Sequence, residues 1–248
     1  MLKKIVHISI SILLLVYLLC SVYYADSRTS KNSICNKLQI DIVNVLERNY
    51  LTEKDIIADI AKVGLSPVGK DLSTISTAAI ENELKENKLI KRAECYKTID
   101  GTIRVKVYQR APILRVFSMG SSYYVDNEGE KMPIPSNFAA YLPVASGFID
   151  DEYAKKQLYE FALFLQQDKF WNSQIKQIYV TQNRDIELIP AVGDHRIILG
   201  KISDYRENLE KLRLFYVKGL NKVGWNKYSI INLKYKNQVV CKKKENKN

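Results

Sequence analysis

The spacing of apolar residues divides this chain before any chemistry is considered. It begins with one unbroken apolar stretch, Ile5 to Tyr24, 20 residues without a charged side chain. A helix needs about 20 apolar residues to cross the hydrocarbon core of a bilayer, so the pattern predicts a membrane-spanning helix over residues 5–24. Lys3 and Lys4 precede it and Asp26 follows. The positive-inside bias therefore keeps residues 1–4 in the cytoplasm and sends the remainder to the far side. The rival reading is a cleaved signal peptide, which needs small residues at the last and third-last positions before the cut. Cuts after Ser21 or Ala25 put Leu19 or Tyr23 at the third-last place, and Leu19 before Cys20 does not suit a lipoprotein signal. The stretch reads as an uncleaved anchor, followed by a polar link over residues 25–33.

After the link the period shortens to two. Leu38, Ile40 and Ile42 alternate with Lys37, Gln39 and Asp41, the pattern of a half-buried strand. Thr52-Glu53-Lys54-Asp55 is a helix start in which Thr52 caps and Asp55 reaches back. Ile56, Ile57, Ile60 and Val63 follow at helical spacing until Gly64 and Ser66-Pro67 end the run. Ser76 caps a second helix over about 77–87, with Ile80 and Leu84 on one face. Ala93, Cys95 and Lys97 then alternate with Arg92, Glu94 and Tyr96, Asp100-Gly101 is a strong hairpin turn, and Ile103, Val105 and Val107 form the return strand. The order β-α-α-β-β predicts a small sheet with both helices on one face. Pro112 cannot donate to a ladder, so pairing changes there and a second region begins.

In that second region Tyr123 and Val125 lead as a strand into the turn Asn127-Glu128-Gly129, and the segment with Pro133, Pro135 and Pro143 reads as extended loop. Asp150-Asp151-Glu152 reads as a first helical turn, where acids favour the macrodipole, because Phe161, Phe164 and Leu165 follow. Strands are predicted around Ile175 to Val180, Ile186 to Pro190 and Arg196 to Leu199. A helix over about 204–219 carries Leu209, Leu212, Phe215 and Tyr216, and one last strand runs from Ser229 to Cys241. The fold class is therefore α+β: an anchor helix, a β-α-α-β-β unit, and a mixed β region with two flanking helices.

Composition narrows the chemistry. Hydrophobic and charged residues make up 46% and 26% of the chain, which is ordinary for folded protein. The net charge of +11 invites a nucleic-acid or anionic-surface reading. The lysines are spread along the chain, and the dense run Lys242 to Lys244 with Lys247 reads as a solvated tail, so no nucleic acid is expected. Three cysteines lie outside the anchor, an odd number. Cys35 with Cys95 is the one bridge to consider, and nothing in the spacing supports it. With no C-x-x-C and only His7 and His195 as histidines, a zinc site and any other cofactor are not expected. His195, between Asp194 and Arg196, reads as a solvated hairpin tip. A nucleophile-histidine pair therefore lacks its base, and no pair of acids stands out for carboxylate chemistry such as glycan cleavage. An anchored cell-wall enzyme and a chaperone or assembly factor are the alternatives to a binding protein.

Taken together, the order of elements resembles the FtsQ/DivIB family of bacterial cell-division proteins, in which a membrane anchor carries a POTRA domain and then a β domain. The resemblance rests on Arg110-x-Pro112 at the domain junction, Val125-Asp126-x-x-Gly129, Leu142-Pro143-x-x-x-Gly147, Leu199-Gly200-Lys201, and Ile231-Asn232-Leu233-Lys234-Tyr235. Gln109 stands where the family usually has glutamate before the arginine, and Asn232 and Lys234 replace aspartate and arginine. The resemblance implies a POTRA domain over 34–112, a β domain over 113–241 and a basic tail over 242–248. It also implies a non-enzymatic scaffold in the inner membrane, enriched at the division septum, that binds FtsB/FtsL-like single-pass proteins and offers its POTRA domain to other division components. A terminal strand is expected at a sheet edge, where a partner strand can add. Ile231, Leu233, Tyr235, Lys236 and Val239 are the expected contacts.

Overall fold

The structure is a computed structural model, and it describes residues 10, 12–21, 34–43, 50–118, 120–136 and 139–244. Residues 12–21 are helical (α1) and their apolar side chains from Ile12 to Leu19 are exposed. Ile5 and Tyr24, the bounds of the expected anchor, lie outside the described residues. Among the described residues no helix is long and apolar enough to cross a membrane. The chain divides into two compact units, one holding Met1–Asn44 and Leu51–Gln109, the other Val45–Tyr50 and Arg110–Asn248.

In the first unit β1 (Lys37–Val43), α2 (Glu53–Lys62), α3 (Thr77–Glu86), β2 (Ile90–Lys97) and β3 (Thr102–Gln109) follow in sequence. The sheet order is β1-β3-β2, with β1 parallel and β2 antiparallel to the central strand. A parallel pair needs a crossover connection, and α2 and α3 supply it. The start of α2 is a complete capping box: Thr52 Oγ1 accepts from the Asp55 amide at 3.3 Å, and Asp55 Oδ2 accepts from the Thr52 amide at 2.8 Å. Ser76 caps α3 through the Ala79 amide. Both helices bury their expected faces, Ile56 and Ile60 with Ile80 and Leu84, over Ile103, Val105 and Val107. The β2–β3 turn requires glycine twice over: Gly101 has φ +83°, and a Cβ there would sit 3.0 Å from Asn36 Nδ2. Cys35 and Cys95 are buried free thiols, so the bridge considered above is absent. Burial, with Glu81 nearby, pushes the Cys95 thiol up to about 11, and such a thiol is inert.

The second unit is built on a nine-stranded sheet. Its strands are β4 (Pro112–Ser118), β5 (Ser121–Asp126), β6 (Lys131–Met132), β7 (Val144–Gly147), β8 (Ile175–Val180), β9 (Asp185–Pro190), β10 (Arg196–Lys201), β11 (Tyr228–Asn232) and β12 (Val240–Lys243). They lie in the order β12-β11-β10-β9-β8-β7-β4-β5-β6. The β4–β7, β7–β8 and β10–β11 pairs are parallel. Three helices cover the sheet where two were expected. The first, α4, spans residues 151–167 as Asp151–Tyr153, a π segment Ala154–Leu158, and Tyr159–Gln167. Next is α5 (Lys169–Gln174). The last, α6, runs over 205–223 as Tyr205–Phe215, a π segment Tyr216–Leu220, and Asn221–Val223. Asp150 caps α4, accepting from the Tyr153 amide at 2.7 Å. One hydrophobic core joins helices and sheet through Leu158, Phe161, Trp171, Ile178, Leu212 and Ile231.

One expectation about the elements is corrected. The stretch read as one strand from Ser229 to Cys241 is a hairpin: β11 ends at Asn232 and β12 begins at Val240. The segment with Pro133, Pro135 and Pro143 carries no strand among its described residues, as read, and after it β7, which was not expected, enters the middle of the sheet.

Candidate partner-binding edge

The C-terminal hairpin is held from three sides. β11 lies between β10, with Ile197 opposite Ile231, and β12, with Cys241 opposite Ile231. The Leu233 amide carries the β10 pairing one step further by donating to the Ile198 carbonyl at 2.9 Å. Asn232 then bends the chain, its Oδ1 accepting from the Lys234 amide at 3.0 Å, and Asn237 at φ +57° turns it back. Lys211 of α6 clamps the bend by donating to the carbonyls of Leu233 and Tyr235 at 3.0 and 3.1 Å.

Beneath the bend Asp185 takes two cations, Lys234 Nζ at 2.7 Å and Lys201 Nζ at 3.0 Å. The hydrogen bonds from Lys234 and Lys201 hold its carboxyl below the usual range against the opposing effect of burial. Gly200 makes room: its φ is +91°, and a Cβ would lie 2.9 Å from Lys234 Cγ. The segments Leu199-Gly200-Lys201 and Ile231-Asn232-Leu233-Lys234-Tyr235, far apart in sequence, thus meet around one carboxylate.

β12 is the outermost strand, and among the described residues it pairs only with β11. The opposite edge is the two-residue β6. Free backbone donors and acceptors on such an edge are what a partner strand completes. Alongside it α6 leaves Leu214 and Val217 exposed, and the hairpin leaves Tyr235 and Val240 exposed. A groove of about 380 Å³ runs between them, lined by Leu214, Phe215, Gly219 and Val239 with Lys211 and Lys218 at its rim. From Lys211 to Lys244 the chain has ten lysines and arginines and no acid. The basic charge is therefore concentrated at this end of the chain, contrary to the expectation of an even spread.

Residues 111–242 match the family described as FtsQ/DivIB, C-terminal related, which is more than half of the chain. Residues 33–108 match a POTRA-like domain. The chain belongs to the FtsQ/DivIB family. No curated protein matches it.

As a member of that family the chain joins two of its motifs by a buried ion pair. Arg110 Nη1 contacts Asp126 Oδ2 at 2.6 Å, and the Asp126 side chain is fully buried. Asp126 Oδ1 also accepts from the amides of Glu128 and Glu130, shaping the turn that ends at Gly129. Tyr50 donates its hydroxyl to the Arg110 carbonyl, and Pro112 opens β4 at a first-strand position that needs no donor.

The expected contacts divide. Ile231 and Leu233 are fully buried in the core, so they hold the hairpin and do not face a partner. Tyr235 is 52% exposed and Lys236 is exposed, while Val239 is partly buried and lines the groove. The basic residues expected as a tail over 242–248 are exposed at 242–244, as read, but Lys242 and Lys243 belong to β12 and Lys244 Nζ pairs with Asp194 at 2.7 Å.

His195 is the other correction. Only 2% exposed, it places Nε2 2.7 Å from the Tyr216 hydroxyl and packs against Trp225. Burial holds its pKa below the ordinary value, opposed by the Trp225 backbone and Asp194. Gly193 permits the tuck, since a Cβ there would meet His195 Nδ1 at 2.8 Å. A buried imidazole against a phenol is a packing group, and FtsQ/DivIB and POTRA-like families are not enzyme families. Among the described residues no group of three or more His, Cys, Asp or Glu is placed to hold a metal. The features missed in the sequence were β12 as a separate strand and the acid-free run from Lys211 to Lys244, of which the second was visible by counting charges.

Proposed function

We propose that the protein is a non-enzymatic scaffold of bacterial cell division whose β12 edge captures the extracytoplasmic segment of an FtsB/FtsL-like single-pass protein. Membership of the FtsQ/DivIB family supplies the cell-division role. The observation that carries the capture reading is the position of β12, outermost in the sheet with one side paired to β11. Strand addition there draws affinity from main-chain hydrogen bonds. The groove beside the strand, with Leu214, Phe215 and Val239, and the exposed ring of Tyr235 give side-chain selectivity. The basic run adds attraction for an acidic partner. Residues 5–24 anchor the chain in the inner membrane with residues 1–4 in the cytoplasm, the protein gathers at the septum, and the POTRA-like unit is free to meet other division components.

The test uses the full chain purified in detergent and a synthetic extracytoplasmic segment of an FtsB-like protein. A chain ending at Lys244 should bind as the full chain does. One ending at Cys241 loses half of β12 and should lose capture by at least about tenfold. Equal binding by both would place the partner elsewhere on the molecule.

A further inference from the structure

A second cleft in the same unit, of about 510 Å³, opens between α4 and the start of α6. Its walls carry Arg184, Lys201 and Arg206 against a single acid, Glu160. Lys201 is occupied, paired with Asp185 and donating to the Asn183 carbonyl at 2.7 Å. Arg184 is only partly occupied, paired with Asp150 through one nitrogen, and Arg206 is unpaired among the described residues. Arg184 sits at φ +60°, a conformation uncommon for a side chain of its size. That turn carries its guanidinium to 4.6 Å above the Tyr153 ring, where one nitrogen donates to Asp150 and the other, Nη1, is buried without an acceptor. Tyr153 itself is 9% exposed, and its hydroxyl is also buried without a partner. The Arg206 guanidinium carbon lies 4.9 Å from the centre of the Phe164 ring and 5.1 Å from that of Tyr205, and among the described residues it meets no carboxylate.

A buried hydroxyl and a buried guanidinium N–H left unmade cost more than an ordinary hydrogen bond returns, so each such group in a native structure calls for an explanation. A guanidinium placed over an aromatic ring keeps its N–H edge for an anion, and that rigid fork takes a carboxylate in two parallel bonds. A volume of several hundred Å³ suits a small ligand. Among the described residues no ion pair joins Glu160 to either arginine, so the cleft offers an acid and two cations at separate points. We propose that this cleft binds a short peptide, its carboxylate held by Arg184, Arg206 and the Tyr153 hydroxyl and its amine facing Glu160. The site is independent of the β12 edge.

Isothermal titration of the full chain in detergent tests this with three probes: alanyl-glutamate, the carboxylate-free alanyl-glutamine amide, and inorganic phosphate. Alanyl-glutamate should bind with a Kd below about 1 mM. Arg206→Gln should weaken it by about tenfold or more, the size of a lost charge-assisted bond. Tyr153→Phe should weaken it by about threefold or more while leaving the melting temperature unchanged or higher, because an unpartnered hydroxyl is removed. Capture of the FtsB-like segment should be untouched by either change. Equal binding of the carboxylate-free amide, binding of phosphate alone, no heat from any probe, or full affinity in both variants would each overturn the proposal.

Discussion

Asp126 is fully buried, yet it satisfies three donors: Arg110 at 2.6 Å and the amides of Glu128 and Glu130 at 2.9 and 2.8 Å. Removing one member of a buried pair leaves the other charge uncompensated. Asp126→Ala should therefore lower stability by about 3 kcal/mol or more, read as a fall in the urea midpoint. Arg110→Ala combined with it should cost less than the sum of the two single changes, and strict additivity would show that the residues act separately. His195 makes a pH prediction. Its folded pKa lies below the ordinary value, so the unfolded chain binds the proton more readily and stability is lost as the pH falls below about 6.5. The slope for one proton is at most about 1.4 kcal/mol per pH unit. The aspartates with lowered pKa, Asp150 and Asp185 among them, lose their contribution only further down, below about pH 3.9. Chemical denaturation of a His195→Gln variant should give a flatter profile between about pH 6.5 and 5; an unchanged slope would exclude His195 as the source. Local chemistry was legible in the sequence at this scale: the Thr52–Asp55 box lies within four residues and formed as read. The position of His195 was not, because charged neighbours on either side suggested a surface tip while the groups that bury it, Tyr216 and Trp225, arrive from a helix and a loop more than twenty residues later.

Elements were legible where the pattern was amphipathic and illegible where it was not. β9 alternates cleanly between buried and accessible positions, β8 and β10 do so with one break each, and all three fell where expected. β4 was missed because it opens on the unbroken buried run Pro112, Ile113 and Leu114, and its alternation begins only at Arg115. Such a run is the mark of a strand covered on both faces and does not separate strand from buried helix by period alone. β7, four residues after a proline, is too short to show a period. The break between β11 and β12 did leave a trace, since Asn232 and Asn237 are both turn formers and both turn the chain here. That geometry decides where proline should act. Lys234 and Lys236 lie in the bend, so proline there does not interrogate a ladder. Within β12 successive amides point alternately toward β11 and away from it. Proline at Val240, Cys241 and Lys242 in turn should split into changes that loosen the hairpin by circular dichroism and changes that keep the fold but abolish capture of the FtsB-like segment. If every well-folded variant still binds, strand addition at β12 is wrong. Tyr235→Ala, which removes an exposed ring from the bend, should weaken capture by about 2 kcal/mol without a change in fold if the ring is an anchor of the contact.

On the scale of the whole molecule, the two compact units make separate predictions about folding and association. Residues 34–109 contain a closed β-α-α-β-β core with its own capped helices and should unfold cooperatively when expressed alone. A broad, non-cooperative melt of that fragment would mean that the unit depends on the rest of the chain. Association should depend on where the charge lies. The net charge is +11, and the run from Lys211 to Lys244 alone supplies ten cations with no acid to offset them. These residues form α6, the bend and β12, so the field is concentrated on the edge proposed to meet the partner. Exposed charges spread over such a face steer encounter over distances comparable with the screening length, which is about 10 Å at 0.1 M salt. Salt should therefore act on the approach of the partner more than on its departure, because the contacts that hold a strand in place are backbone bonds and apolar packing. Stopped-flow or surface binding measurements should show the association rate constant for an acidic FtsB-like segment falling by about tenfold or more from about 0.05 M to about 0.5 M salt, with a much smaller change in the dissociation rate. Lys218→Glu and Lys236→Glu, both at exposed positions near the edge, should lower the association rate at low salt and flatten its salt dependence. An association rate that is insensitive to salt and to both reversals would show that the partner approaches another face, and the basic run would then be a solubility feature of the edge.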